Sequence, residues 1–452
     1  MAQAVELVIT GGLLVTPSGI VRADLAIDHG LIVAVGDVSD YRPANQIDAK
    51  NLVVMPGVID THVHFREPGF PEKEDMASGS RAAALGGVTT VFDMPNTKPA
   101  TTTVALLQDK FERAKQRFFV DYGFYIGATP NNTAELVAAE GLPGCAGIKL
   151  FMGSSTGDLL VAEDEEIEPI MRATRGTLAV HAEDESRLKA NKKDVLDSAA
   201  AKGECGVHLH PCYRDVETAY RATKRLIDLA RKLNRRVHVL HVTSAQELPL
   251  LAANKDLVSC EVLPQHLALS APSCYDKLGT LAQMNPPIRD AEHGRALWAA
   301  IRNGLIDTLG SDHAPHTLAE KGQAYPATPS GMPGVQTMLP ILLDAVNAGS
   351  LTLERLVDLT SAGPARVYGI KRKGRLAVGF DADLVLVDLK KRQTIRNQWI
   401  ASTCGWTPFD GMEITGWPVM TILRGMPIMQ DDELLGSAVG QPVRFQKEEV
   451  TG

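Results

Sequence analysis

The 452 residues contain only six cysteines, Cys145, Cys205, Cys212, Cys260, Cys274 and Cys404, and no two of them form a CxxC pair. Neither a disulfide framework nor a zinc–thiolate site organises such a chain. Long apolar runs are missing as well: none reaches the roughly 18 residues that span a bilayer. Residues 1–14 carry Glu6 and no basic region ahead of an apolar stretch, so a signal peptide is not expected. Excess positive charge is also absent. The net charge is -8, which argues against nucleic acid or an anionic membrane surface as partner. The short basic run Lys371-Arg372-Lys373 lies beside Gly374 and reads as a solvated turn. There is no repeat of fixed period and no low-complexity segment. The expectation is a cytoplasmic protein whose partner is a small molecule.

A chain of this length exceeds one compact core, so a large domain with a smaller one is expected. Residues 1–52 alternate apolar and polar over short stretches, punctuated by Gly11-Gly12 and Asp28-His29-Gly30. They read as antiparallel strands with tight turns, His29 being a turn residue. From residue 53 to about 370 strand-like runs alternate with helical stretches. Strands are expected at 53–64, 88–94, 122–127, 147–152, 177–181, 237–241, 258–262 and 306–311. Helices are expected at 76–85, 103–116, 215–233 and 339–347. This is the pattern of an α/β (β/α)₈ TIM-like barrel. Residues 371–452 are β-rich again, and strands from both termini can pair into one small β-sandwich domain.

The chemistry sits at the strand ends. His62 and His64 close the first run; residues i and i+2 of a strand point to one side, so both imidazoles can chelate one ion. Lys149 lies in the fourth run, His181 ends the fifth, His241 ends the sixth and Asp312 follows the eighth. A single strand-end histidine reads more readily as a hydrogen-bonded core residue than as a ligand. Five such residues in a barrel, where all strand ends face one mouth, read as a metal site. Imidazole and carboxylate suit Zn²⁺, and this set suffices for two ions. A cationic Lys149 beside two dications is electrostatically prohibitive, at about 4 kcal/mol per pair of unit charges even at a high effective dielectric. It reads as an outward-facing strand lysine or as a lysine carboxylated by CO₂; its apolar neighbours favour the second.

Six motifs then occur in order: Asp60-Thr61-His62-Val63-His64-Phe65-Arg66-Glu67-Pro68-Gly69, Asp93-Met94-Pro95-Asn96-Thr97, His181-Ala182-Glu183-Asp184, His241-Val242-Thr243-Ser244, Asn285-Pro286-Pro287-Ile288-Arg289 and Ser311-Asp312-His313-Ala314-Pro315-His316. Together they resemble the dihydroorotases of the cyclic amidohydrolases, from about residue 5 to 430. The resemblance implies reversible hydrolysis of (S)-dihydroorotate to N-carbamoyl-L-aspartate in de novo pyrimidine synthesis. It implies two Zn²⁺ per subunit, one on His62, His64 and Asp312 and the other on His181 and His241. An N6-carboxylated Lys149 and a hydroxide would bridge them, and Asp312 would shuttle the proton.

Arg66 separates this pattern from hydantoinase- and allantoinase-like relatives, which lack it. A guanidinium binds the ring carboxylate of dihydroorotate bidentately; the alternative is a surface salt bridge to Glu67. Asn96, Asn285 and His316 are expected to supply further donors to the substrate. Two departures stand out. Many bacterial dihydroorotases carry aspartate at the place of Lys149, and Glu261-Val262-Leu263-Pro264-Gln265-His266 departs from the common Thr-Pro-His-His, so His266 reads as structural. His238 is expected to face the helices. His208 and His210 read as part of an insertion loop. Residues 317–333 read as a loop closing over the site or as a surface loop. A homodimer is expected. A hydantoinase-like enzyme, or a non-catalytic partner of aspartate transcarbamoylase, remain the alternatives.

Overall fold

The computed structural model describes residues 2–155 and 159–446; Met1 and residues 447–452, the outer ends of the expected terminal segments, lie outside them. Eight strands form one parallel sheet in chain order: Val58–Val63, Val88–Asp93, Asp121–Gly127, Cys145–Phe151, Leu178–His181, Val237–Val239, Val258–Val262 and Thr308–Leu309. The last meets the first through a parallel bridge between Val63 and His313. The Asp60 carboxylate accepts from Ser311 N–H at 3.0 Å, and His64 N–H donates to His313 O at 2.8 Å. The result is a nearly closed barrel with its helices outside. Helices form where expected because the caps are written locally. Asp75 caps Met76–Leu85 and Asp215 caps Val216–Leu233, which Asn234 ends in a left-handed turn at φ 47°.

The run expected as one strand over 53–64 is two. Gly57 divides it, packed so closely on Thr89 that a Cβ would lie 2.2 Å from the Thr89 hydroxyl. Val58–Val63 opens the barrel, whereas Val53–Pro56 pairs with Leu13–Thr16 and Leu384–Thr394. Those strands belong to a seven-stranded sheet built from both termini. A four-stranded sheet packs on it, with Leu7, Ile9 and Leu25 facing Leu14, Val54 and Leu384. The N-terminal strands are not all antiparallel: Gln3–Thr10 runs parallel to Tyr41–Asp48, a strand the polar composition of that segment hides.

His238 corrects another expectation. It faces the barrel interior, with its ring centroid 5.6 Å from that of Tyr368 and Nδ1 2.8 Å from Ser259 Oγ. Val237 and Val239 face the helical layer instead. The expectation assumed that the period of two runs through to His241, but the strand ends at Val239 and His241 has φ 38°. The left-handed residue resets the alternation.

Lys373 is likewise not in a solvated turn. It is buried, and its ammonium lies 2.7 Å from Asp121 of the third barrel strand and in contact with Asp383. Arg424 also pairs with Asp121. This cluster joins the C-terminal sheet to the barrel. Burial alone would raise the Asp121 pKa, but Lys373 and Arg424 hold it below the ordinary 3.8. Its stabilisation is therefore present above the unfolded value and is lost as pH falls toward the folded one. Lys373→Met is expected to lose about 3 kcal/mol near neutral pH and to destabilise less steeply than the parent below about pH 4. Urea unfolding at a series of pH values checks this; parallel pH slopes would remove the claim.

Candidate metal centre and active site

At the C-terminal mouth of the barrel, His62 and His64 both aim Nε2 at one atom, Asp312 Oδ1, at 3.2 and 3.0 Å. Their other nitrogens are engaged: His62 Nδ1 with Glu261 Oε1 at 2.8 Å, and His64 Nδ1 with Asn96 Oδ1 at 2.7 Å. Ring protons assigned by these partners sit on Nδ1, which leaves both Nε2 lone pairs facing Asp312. Burial, the main cause, pushes the His62 pKa down to about 3, and that of His64 lies well below its ordinary value. Neutral imidazole is the ligand form.

His181 and His241 make the second pair. His181 Nε2 meets Glu183 Oε2 at 2.8 Å, and its Nδ1 lies 2.9 Å from His241 Nε2. Burial would raise the Glu183 pKa, but Arg214 and His181 hold it at about 2. The two pairs adjoin, with the His62 and His241 ring centroids 5.5 Å apart. Lys149 is buried and lines the same cavity, its Nζ 4.7 Å from the Phe151 ring centroid. Burial lowers its pKa to about 7. One cavity is lined by His62, His64, Lys149, His181, His241 and Asp312. Its outer wall is Ser155, Asn285, Ser330 and Gly331.

The family model of the amidohydrolase family matches residues 53–428. The chain belongs to the amidohydrolase family. It is 38% identical over 411 residues to a dihydroorotase of Halobacterium salinarum, covering 90% of this chain and 94% of that one. It is 34% identical to an L-hydantoinase of Paenarthrobacter aurescens, over 93% and 94% of the two chains. The solved structure of an L-hydantoinase from Arthrobacter aurescens superposes with a TM-score of 0.93 at 33% identity, covering 97% of this chain and 99% of that one.

As an amidohydrolase the chain has a buried metal-binding group in His62, His64 and Asp312, whose ligand atoms lie within 4.8 Å of one another. The donor set fits a divalent cation. Two neutral nitrogens and a carboxylate oxygen converge, and each imidazole is turned by a partner on its far side.

Two of the expected substrate donors also have partners within the protein. Asn96 turns its carbonyl oxygen to His64, so it orients a metal-binding histidine. His316 is neutral, its pKa lowered chiefly by burial and then by Arg66, and its Nε2 donates to Ser330 O at 3.1 Å. It thereby holds the segment whose Ser330 and Gly331 line the cavity. Asn285 does stand on the wall. Arg66 is buried and makes no bridge to Glu67, which pairs with Arg117. Residues 317–333 are the loop that reaches the cavity. They carry a short helix, Leu318–Lys321, and Lys321 donates to Gln283 O and Pro329 O, both at 3.0 Å. His313 meets Glu74 at 3.1 Å, and His266 donates to Pro286 O, a structural use.

Glu183 and Glu261 carry no role from sequence alone. The signal for Glu183 was its position two residues after His181; for Glu261 it was a carboxylate inside the apolar seventh strand. Gly310 makes room for Glu261, since a Cβ there would lie 2.4 Å from its Oε2 and 3.1 Å from His62 Cβ. Glu261→Ala is expected to weaken metal binding by about 10- to 100-fold. Competition of the purified protein with a chelator measures this; parental affinity would show that Glu261 does not orient His62.

Proposed function

We propose that this amidohydrolase is a dihydroorotase, opening the cyclic amide of (S)-dihydroorotate to N-carbamoyl-L-aspartate and closing it again. The observation that carries the reading is Arg66. Its guanidinium is buried beside His64 and His316, and among the described residues no carboxylate lies within 4.0 Å of it. Burial lowers its pKa to about 10. A buried cation without a carboxylate partner calls for an anion, and the ring carboxylate of dihydroorotate is one. The similarity to the Halobacterium salinarum dihydroorotase supports the same reading.

His62, His64 and Asp312 would hold one zinc ion, and His181 and His241 a second, with carboxylated Lys149 between them. Bound there, the ions supply Lewis acidity and a water that is deprotonated near neutral pH. The protein's groups do the rest. Lys149 Nζ, with its pKa lowered to about 7, has a substantial fraction of free amine near neutral pH, and that amine adds to CO₂, losing one proton to give an anionic carbamate. Asp312 takes the proton of the attacking water and returns it to the departing ring nitrogen. Ser155 and Asn285 hold the ring amides from the outer wall. Arg66 fixes the carboxylate and hence the face of the ring presented for attack.

The second reading, a hydantoinase, is favoured by the superposition on the L-hydantoinase. A substrate panel separates the two. Dihydroorotate is expected to turn over and hydantoin to be a poor substrate; turnover of hydantoin alone would overturn the proposal. Arg66→Met is expected to raise KM for dihydroorotate by roughly 100-fold with the metal content unchanged, read by steady-state kinetics and metal analysis. Lys149→Ala is expected to lose most bound metal along with activity, and a variant of parental zinc content and rate would remove the carbamate from the mechanism.

A further inference from the structure

The insertion carrying His208 and His210 is not a ligand site, yet two of its side chains reach the cavity's supports. Val207–Leu209 is one 3₁₀ turn, followed by the helical turn His210–Tyr213 and then Arg214. His210 is buried, with Nε2 3.0 Å from Met284 O and 2.9 Å from Asn285 Oδ1. Met284 O can only accept, so the ring proton is on Nε2. The same proton then faces the Asn285 carbonyl oxygen. This fixes the Asn285 amide, and its Nδ2 lies 3.4 Å from Ser155 Oγ on the cavity wall. Asn285 therefore offers donors, not acceptors, to a ring carbonyl.

Arg214 works on the other side. One nitrogen pairs with Glu183, which turns His181; another donates to Ser154 O at 2.6 Å. Ser154 precedes the wall residue Ser155. The two supports are packed as one body: a Cβ on Gly153 would lie 2.4 Å from Glu183 O. The Arg214 carbonyl in turn accepts from Arg289, whose Nε donates to Thr243 Oγ1 at 3.3 Å, two residues after His241.

We infer that His210 and Arg214 are positioning residues which lock the amide-reading wall, Ser155 and Asn285, to the His181–His241 half of the metal centre. The insertion then positions the groups that bind the ring amide, a role distinct from that of Arg66, which reads the carboxylate. This rests on the cyclic-amide reading of the site.

The test is a double-mutant cycle on the full chain. His210→Leu is expected to raise KM roughly tenfold, with a smaller fall in kcat. Asn285→Ala should do the same, and the double variant should be no worse than the poorer single variant, because His210 acts through Asn285. His210→Gln, which keeps a donor, should recover most of the loss. Arg214→Met is expected to raise KM and to weaken zinc binding by roughly tenfold in chelator competition, with Arg214→Lys intermediate. Additive effects in the cycle, no recovery by His210→Gln, or an Arg214→Met protein with parental zinc affinity would each overturn the inference. The cycle is run on whichever ring the parent opens. Failure of the parent on dihydroorotate with turnover of hydantoin removes the proposed substrate, while the cycle and the zinc titration still decide the inference.

Discussion

Four imidazoles, a lysine and an aspartate share one buried cavity, and burial sets the terms. Every imidazole there is held neutral, so each has one proton and one lone pair to place. The proton of His62 goes to Glu261, that of His64 to Asn96 and that of His181 to Glu183. The Nε2 lone pairs of His62 and His64 are left to meet at Asp312, while His181 Nδ1 faces His241 Nε2 at 2.9 Å. The residues behind the histidines are as much a part of the centre as the histidines themselves. Without them a ring would be free to turn its lone pair away. Burial also raises the Glu261 pKa to about 8 and that of Asp60 to about 7, so a cation bound close by would favour their charged forms.

Holding such a cluster distorts the backbone. Arg66, His241 and Asp312 all have positive φ, at 58°, 38° and 42°. For residues with a Cβ this conformation is unfavourable by about 1–3 kcal/mol each. The barrel over-determines it: His241 N–H donates to Glu261 at 3.3 Å, and the Arg66 carbonyl accepts from Phe70 N–H at 3.0 Å. Left-handed turns at strand ends swing side chains inward that a continuing strand would send elsewhere. Those strand ends can therefore crowd more ligands round one point than regular alternation allows.

The same geometry explains what could be read in advance. The barrel and the gathering of His62, His64, His181, His241 and Asp312 at its mouth were legible because strand ends converge in this architecture, so these residues needed only their place in the run of strands. Residues whose role depends on one distant partner were not legible. Nothing near Lys373 announces Asp121, 252 residues away. Nothing near Asn96 in the sequence says that its carbonyl oxygen meets His64. His210 looked like an insertion residue because it is one; its use appears only when Met284 and Asn285 fold against it. His238 was misread because the period-two rule was carried past the end of its strand.

The likeness to an L-hydantoinase, at a TM-score of 0.93, places the question of selectivity in side chains and not in the fold. A scaffold that superposes so well on a hydantoinase can share the reacting centre and still differ in the ring it accepts. On the proposed reading, Arg66 makes that difference chiefly by penalty. Its desolvation has already occurred in the folded protein, as its lowered pKa records. A ring bearing a carboxylate satisfies the guanidinium. An uncharged ring of similar shape covers it and brings it no anion, which opposes binding more strongly than the loss of one contact does. The hydrogen bonds of the outer wall cannot achieve this, because both rings present the same amide to Asn285. Selectivity and reactivity are thus carried by different residues, and Arg66 can discriminate only because the barrel has buried it.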